Sequence, residues 1–348
     1  MRLVPAFTVN PTLVLAVFLP PLLFDAGFSM HAAAVRRELP WILFFGIPGA
    51  VLSGVIVGGI LWLIGVPLQE AALLAAILAA TDPVSVFAAL RRMHSPERLR
   101  VTLEGESLVN DGVAVVLFAI ALSIVEGRIV GAGAALGEFI YVSVVGLAVG
   151  WLIGQLARWL LARVGQPFQI AITVFSAYAG YVVADRIGAS GLLAVIAMSL
   201  LLGTAYQPTT HHAVHRFWRS LGFVMSSVIF LIVGLQVRLD EVFGTGGRLA
   251  VLVAAMFAGR AIMVHLVTLW RSDLWPWRWR LALIWAGLRG ALSLALALSV
   301  PSSVAAHDEI VVLAFGFVFL SLAIQGISTG LVFGALGITR QTAVKPVR

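Results

Sequence analysis

The chain has 348 residues and no cysteine, which excludes disulfides and thiolate metal sites and leaves the redox compartment unread. Lysine is almost as scarce: of the 23 basic residues, all but Lys345 are arginine. Charge of either sign is sparse, at 11% of residues, where soluble domains carry about a quarter. Apolar residues make up 61% of the chain and mean hydropathy is +1.03, which excludes an ordinary soluble domain and indicates a polytopic all-α membrane protein. Low-complexity tracts and long polar linkers are lacking as well. Residues 1–9 carry one arginine, an apolar stretch too short for a signal peptide and no small-residue cleavage site, so they are not expected to act as one.

What is there is a series of long apolar runs. A spanning helix needs about 20 such residues, and eleven segments qualify: 11–28, 39–65, 69–90, 101–125, 134–162, 167–186, 189–205, 217–237, 247–270, 279–300 and 309–336. The net charge of +7 does not point to nucleic acid, because the arginines lie mostly in the connections, where they report topology and contact with anionic headgroups. With the amino terminus outside, sixteen basic residues fall on inner connections, including Arg36, Arg37, Arg98, Arg100 and Lys345, against five on outer ones. That bias places the carboxyl terminus in the cytoplasm. The remaining two, Arg260 and Arg289, lie inside apolar segments.

Transporters are often built as inverted repeats with broken helices at mid-membrane. Two breaks stand in corresponding positions, Thr81-Asp82-Pro83 in the third segment and Gly287-Leu288-Arg289-Gly290 in the tenth. They define an inverted-repeat fold with two broken, crossing helices.

Carboxylates within these runs need a reason, since one at bilayer depth costs about 2.5–3.5 kcal/mol on insertion scales. Asp82 precedes Pro83, whose missing N–H frees upstream carbonyls. Such backbone is tolerated where protein, water or a bound cation satisfies it. The simpler alternative is a proline kink with Asp82 as a cap. In Glu106-Ser107-Leu108-Val109-Asn110-Asp111, helical spacing sets Glu106 over Asn110 and Ser107 over Asp111, so one polar face results. With Thr81 and Asp82 it offers carboxylate, hydroxyl, amide and carbonyl oxygens, the donors a hard cation takes. The alternative, a polar helix end at the cytoplasmic interface, suits Glu104 and not Asp111, which lies about 15 Å deep at a rise of about 1.5 Å per residue.

Arg260 and Arg289 must be paired or reach water, and Glu106, Asp82 and the carbonyl ends of broken helices are the available partners. Snorkelling to the inner interface is the alternative for Arg260. Asp25, after Pro20-Pro21, is either a funnel carboxylate or an interface residue near Arg36. His211, His212 and His215 form HHxxH in an expected cytoplasmic loop; a zinc site needs more ligands than these, which leaves a solvated, pH-responsive loop. Paired small residues such as Gly58-Gly59 are read as helix packing.

Together these residues resemble the sodium–proton exchangers of the NhaP/NHE type, the cation:proton antiporter 1 family. The resemblance rests on FLPPLLFDAGF (18–28), TDPVSV (81–86), PERLRVTLEGESLVNDGVAVVLF (96–118), SGLLAVIAMSLLLG (190–203), IFLIVGLQV (229–237) and GLRGALSLALALSVP (287–301), in the family's order. It implies a single transmembrane exchanger domain over 1–348, with 11–38 and 167–245 on the dimerisation side. The core ion-transport side is then 39–126 and 246–338, with 134–162 as a linker helix. The implied ion site is Asp82, Asp111, Ser107 and the Thr81 carbonyl, with Asn110 in support. Glu106 with Arg260 is the implied structural ion pair, Arg289 the helix-crossing arginine and Asp25 the carboxylate at the cation funnel. Asn110 beside one aspartate is similar to members that exchange one for one. The family's thirteen-helix pattern would place two helices before residue 11, so a late-starting chain is expected.

The expected activity is exchange of Na⁺, K⁺ or Li⁺ for H⁺ by a multi-pass protein of the plasma (inner) membrane, a homodimer in its full-length form, with no cofactor and no nucleic-acid partner. A cation channel, or a remnant of an antiporter that no longer transports, are the alternatives. An intramembrane hydrolase lacks its base, since Ser107 has no histidine at useful depth.

Overall fold

The computed structural model describes residues 14–30, 32–82, 90, 93, 95–128, 131–205, 208–236, 244–304 and 306–338. Every described element is helical. In chain order these are α1 (Leu19–Phe28), α2 (Ala32–Phe44), α3 (Ala50–Leu63), α4 (Leu68–Ile77), α5 (Glu97–Val125), α6 (Ala132–Leu161) and α7 (Gln166–Arg186). Then come α8 (Gly191–Ala205), α9 (Pro208–Gln236), α10 (Gly246–Thr268), α11 (Trp277–Trp285), α12 (Ala291–Leu298), α13 (His307–Leu320) and α14 (Ile327–Ala335). Six stretches, 33–63, 97–125, 132–161, 168–186, 246–268 and 307–335, are long and apolar enough to cross a bilayer.

Two of these stretches are joined through π-helical turns. Phe45–Gly49 links α2 to α3, and Ser321–Gly326 links α13 to α14. The first contains Pro48, whose missing N–H accounts for the shift in hydrogen-bond register. The second contains no proline and carries two polar side chains, Ser321 and Gln325.

Two boundaries differ from expectation. The segment expected to begin at 39 is helical from Ala32. Its charged first turns stay helical because Arg36 and Arg37 face out while Glu38 meets Arg98 of α5 at 2.9 Å. The Arg98 guanidinium also lies 5.4 Å from the Trp275 ring, which stacks edge-on with Trp41 and Phe45. The second difference is α9, expected from 217, which starts at Pro208. Proline suits a first helical position, so the expected histidine loop is a helix.

The helices pack in two groups. In one, α8 lies between α6, α7 and α1, and α9 lies against α1. Phe24 of α1 stacks on Trp218 of α9 at 4.1 Å, and both rings are fully buried. Gly146, Gly150 and Gly154 repeat every four residues along α6 and bring its backbone onto α8, as small residues do in membranes. The opposite face of α6, with Leu136, Ile140, Val144, Leu152 and Trp159, is exposed, as suits contact with lipid. In the other group, α2 and α4 pack on α5, α3 packs on α4 and α10, and α13 packs on α12, α10 and α4.

Candidate functional site

The helix of α4 ends at Ile77 and the chain is unwound at 80–82, while Pro83 lies outside the described residues. The freed backbone of Thr81 is taken by α5. Its carbonyl accepts the Ser107 hydroxyl at 2.6 Å, and its N–H donates to Asn110 Oδ1 at 3.4 Å. Asn110 Nδ2 in turn donates to Thr81 Oγ1 at 2.8 Å. Thr81, Ser107 and Asn110 are all buried. Ser107 spends its one proton on this bond, which leaves its oxygen lone pairs open to a cation.

The second break, Ala286–Gly290, crosses the first. The Asp82 N–H donates to the Leu288 carbonyl at 2.9 Å. Gly290 lies so close to the Asp82 carboxylate that a Cβ there would sit 2.0 Å from Oδ2, so only glycine fits. Arg289 is buried and donates through Nε to the carbonyl of Leu78 and through Nη1 to that of Gly287 at 2.6 Å. Each break therefore donates to a carbonyl of the other, and the arginine adds a positive charge at the crossing.

Asp111 and Asp82 are each half-buried. Asp111 Oδ1 is sealed from solvent and has no hydrogen-bond partner among the described residues. Asp111 lies within electrostatic range of both Asp82 and Arg289. The crossing thus gathers two carboxylates, the Thr81 carbonyl, the Ser107 hydroxyl and the Asn110 amide. This is a hard, oxygen-only donor set of the kind that group 1 and 2 cations take. Among the described residues no three His, Cys, Asp or Glu side chains converge as for a transition metal.

Beside it, Glu106 and Arg260 form a buried ion pair through Oε1 and Nη1, and Arg260 also donates to the Leu283 carbonyl from Nη2 at 3.0 Å and Nε at 3.2 Å. Arg260 therefore points into the bundle and does not snorkel. Asp25 is not part of the crossing. It lies between α1 and α9, where it accepts from Ser29 Oγ at 3.3 Å, and Ser29 Oγ is 3.0 Å from His215 Nε2. His212 is exposed on α9, and the His211 side chain lies outside the described residues. Two side chains not singled out from the sequence, Ser321 and Gln325, reach the second break. The signal was available as polar positions within the apolar run FVFLSLAIQGIS.

The geometry is that of a membrane protein with two discontinuous helices crossing beside a pair of half-buried carboxylates. Residues 4–334 match the family described as sodium/hydrogen exchanger, transmembrane, and the chain belongs to that family. It is 35% identical over 344 residues to the Na⁺/H⁺ antiporter ApNhaP of Aphanothece halophytica, covering 94% of this chain and 66% of that protein. It is 32% identical to the antiporter NhaG of Bacillus atrophaeus, covering 94% of this chain and 64% of the relative. The chain thus spans about two thirds of the length of these relatives. The antiporter NhaH of Halobacillus dabanensis is 31% identical, with 93% of this chain and 83% of that protein covered. The solved sodium proton antiporter MjNhaP1 from Methanocaldococcus jannaschii superposes with a TM-score of 0.80 at 20% identity, covering 94% of this chain and 88% of that one. The fold is therefore the antiporter fold, in an integral, multi-pass membrane protein.

Proposed function

We propose that the chain exchanges Na⁺, with K⁺ or Li⁺ as alternative cations, for H⁺ across the plasma (inner) membrane. The observation that carries this reading is Oδ1 of Asp111, sealed from solvent and without a hydrogen-bond partner among the described residues, beside Asp82 at the crossing of two broken helices. A buried acceptor left without a partner is costly, and either a cation or a proton relieves it. The two ligands then compete for one site, which is the condition for coupled exchange.

In this reading Asp82 and Asp111 bind cation and proton in turn, while the Thr81 carbonyl, Ser107 and Asn110 complete the cation shell. Glu106 with Arg260 braces α5 against α10, and Arg289 stabilises the crossing. Asp25 serves the cytoplasmic funnel. The group of α1 and α7–α9 is the scaffold that dimerises, α6 is the linker, and the group holding the crossing moves against the scaffold to give alternating access. The amino-terminal end faces outside and the carboxyl terminus the cytoplasm.

The test is reconstitution of the purified chain in liposomes with an imposed pH gradient. Na⁺ movement is expected to follow the gradient, and the apparent KM for Na⁺ is expected to rise by up to tenfold per unit of acidification at unchanged Vmax. A Na⁺ conductance indifferent to the proton gradient would instead establish a channel.

A further inference from the structure

The break at Ala286–Gly290 frees backbone groups on both sides, and a neighbouring helix takes one from each side. Gln325 Nε2 donates to the Trp285 carbonyl at 2.9 Å. The Arg289 N–H donates to Ser321 Oγ at 3.1 Å, and the Ser321 hydroxyl donates to Gln325 Oε1 at 2.7 Å. Two side chains thus bracket the break from residue 285 to residue 289 in one continuous chain of hydrogen bonds. Both are buried, Ser321 at 5% and Gln325 at 3% exposure, so water does not substitute for them.

The donor and acceptor inventory closes. Ser321 gives its proton to Gln325 and accepts from Arg289, while Gln325 uses its oxygen on Ser321 and its nitrogen on Trp285. Reversing the amide would lose both bonds, so its orientation is determined. The supporting helix is irregular at this place: Ser321–Gly326 is the π turn between α13 and α14. Such turns are rare and concentrate at functional sites. Side chains one turn on satisfy carbonyls there, Ser328 Oγ bonding Ile324 O and Thr329 Oγ1 bonding Gln325 O, each at 2.5 Å.

The bracketed segment carries the contacts that seat Asp82. Leu288 supplies the carbonyl for the Asp82 N–H, and Gly290 abuts its carboxylate. We propose that Ser321 and Gln325 are positioning residues for the cation site, holding the second break in the geometry that presents Asp82 to the ion. This rests on the exchange reading above. Its consequence is specific: loosening the bracket loosens one carboxylate ligand, so cation affinity falls more than turnover. A merely structural role would lower the melting temperature and the active fraction, and leave affinity unchanged.

The test uses the full chain with Ser321→Ala, Gln325→Met and the double variant, assayed for exchange in liposomes and for ²²Na⁺ binding in detergent. Each single variant is expected to raise both the apparent KM and the Kd for Na⁺ about fivefold, the worth of one net hydrogen bond, with Vmax within about twofold. The double variant is expected to be little worse than either single one, because the two side chains act as a unit. Wild-type KM and Kd in both single variants, or a loss confined to Vmax and melting temperature, would overturn the proposal. If Gln325→Met does not fold, Ser321→Ala, which removes a single oxygen, decides alone. A wild-type chain that binds Na⁺ without exchanging it refutes the exchange reading, and the Kd comparison still decides this one. A wild-type chain that does neither refutes both.

Discussion

At the scale of single residues, the site is governed by what a buried charge can find as a partner. Asp82, Asp111, Glu106, Arg260 and Arg289 were all legible in the sequence, because a charge inside an apolar run is rare and expensive. Their partners were only partly so. Opposite charge alone left Glu106 and Asp82 both open as partners of Arg260, and the pairing with Glu106 came from the family resemblance. The carbonyls of Leu78, Gly287 and Leu283, which take most of the arginine N–H bonds, leave no mark in a sequence because every residue has a carbonyl. Asp111→Asn keeps shape and removes charge, and is expected to abolish exchange in liposomes while expression and melting temperature stay near wild type. Arg260→Glu leaves two buried carboxylates facing each other and is expected to destabilise the protein by about 3–5 kcal/mol, read as lost yield and a lower melting temperature. Exchanging the pair, Glu106→Arg with Arg260→Glu, is expected to restore part of that loss. Restoration stays partial because a glutamate at 260 cannot donate to Leu283 O. No recovery at all would count against the pair as the brace between α5 and α10.

At the scale of elements, glycine and proline punctuation announced the two breaks, and Gly290 is required by the closeness of the Asp82 carboxylate. The π turn at Ser321–Gly326 was not announced, since without proline its register shift has no local cause in the chain. The histidine motif was misread as loop because polarity was taken as a helix end, whereas α9 simply continues past the apolar run. The glycine repeat of α6 makes its own prediction. A Cβ at Gly150 would lie 2.0 Å from the Ala194 carbonyl oxygen, which is rigid backbone. Gly150→Val is therefore expected to force α6 from α8 and destabilise the protein by at least about 1–3 kcal/mol. Thermal unfolding in detergent checks this, with Gly137→Ala, where nothing lies within 4 Å, as the neutral control on the same helix.

At the scale of the whole molecule, the two helix groups meet along α5 where it passes α6 and α8. This seam encloses an apolar cavity of about 110 Å³ lined by residues such as Ile42, Val109, Phe139 and Ile196. Under the proposed exchange, an apolar seam of this kind offers few polar contacts to break as one group moves against the other. The orientation from arginine bias has a direct test that the missing cysteines make clean. Ser272 and Gly133 are both exposed and belong to opposite faces in the proposed topology. A cysteine at 272 is expected to react with a membrane-impermeant maleimide only from the cytoplasmic side, and one at 133 only from outside. The reverse pattern would invert the topology.

The sequence by itself determined that this is a polytopic helical membrane protein with two helix breaks and a set of acidic and basic groups at depth. Those properties are local: hydropathy, backbone punctuation and charge are carried by each segment alone. Only the tertiary structure decided which carbonyl each buried N–H reaches, that Asp25 lies apart from the crossing, and that Ser321 and Gln325 bracket it. Those are properties of pairs of chain segments brought together from far apart, and a buried polar group takes whichever partner the crossing backbones deliver to it.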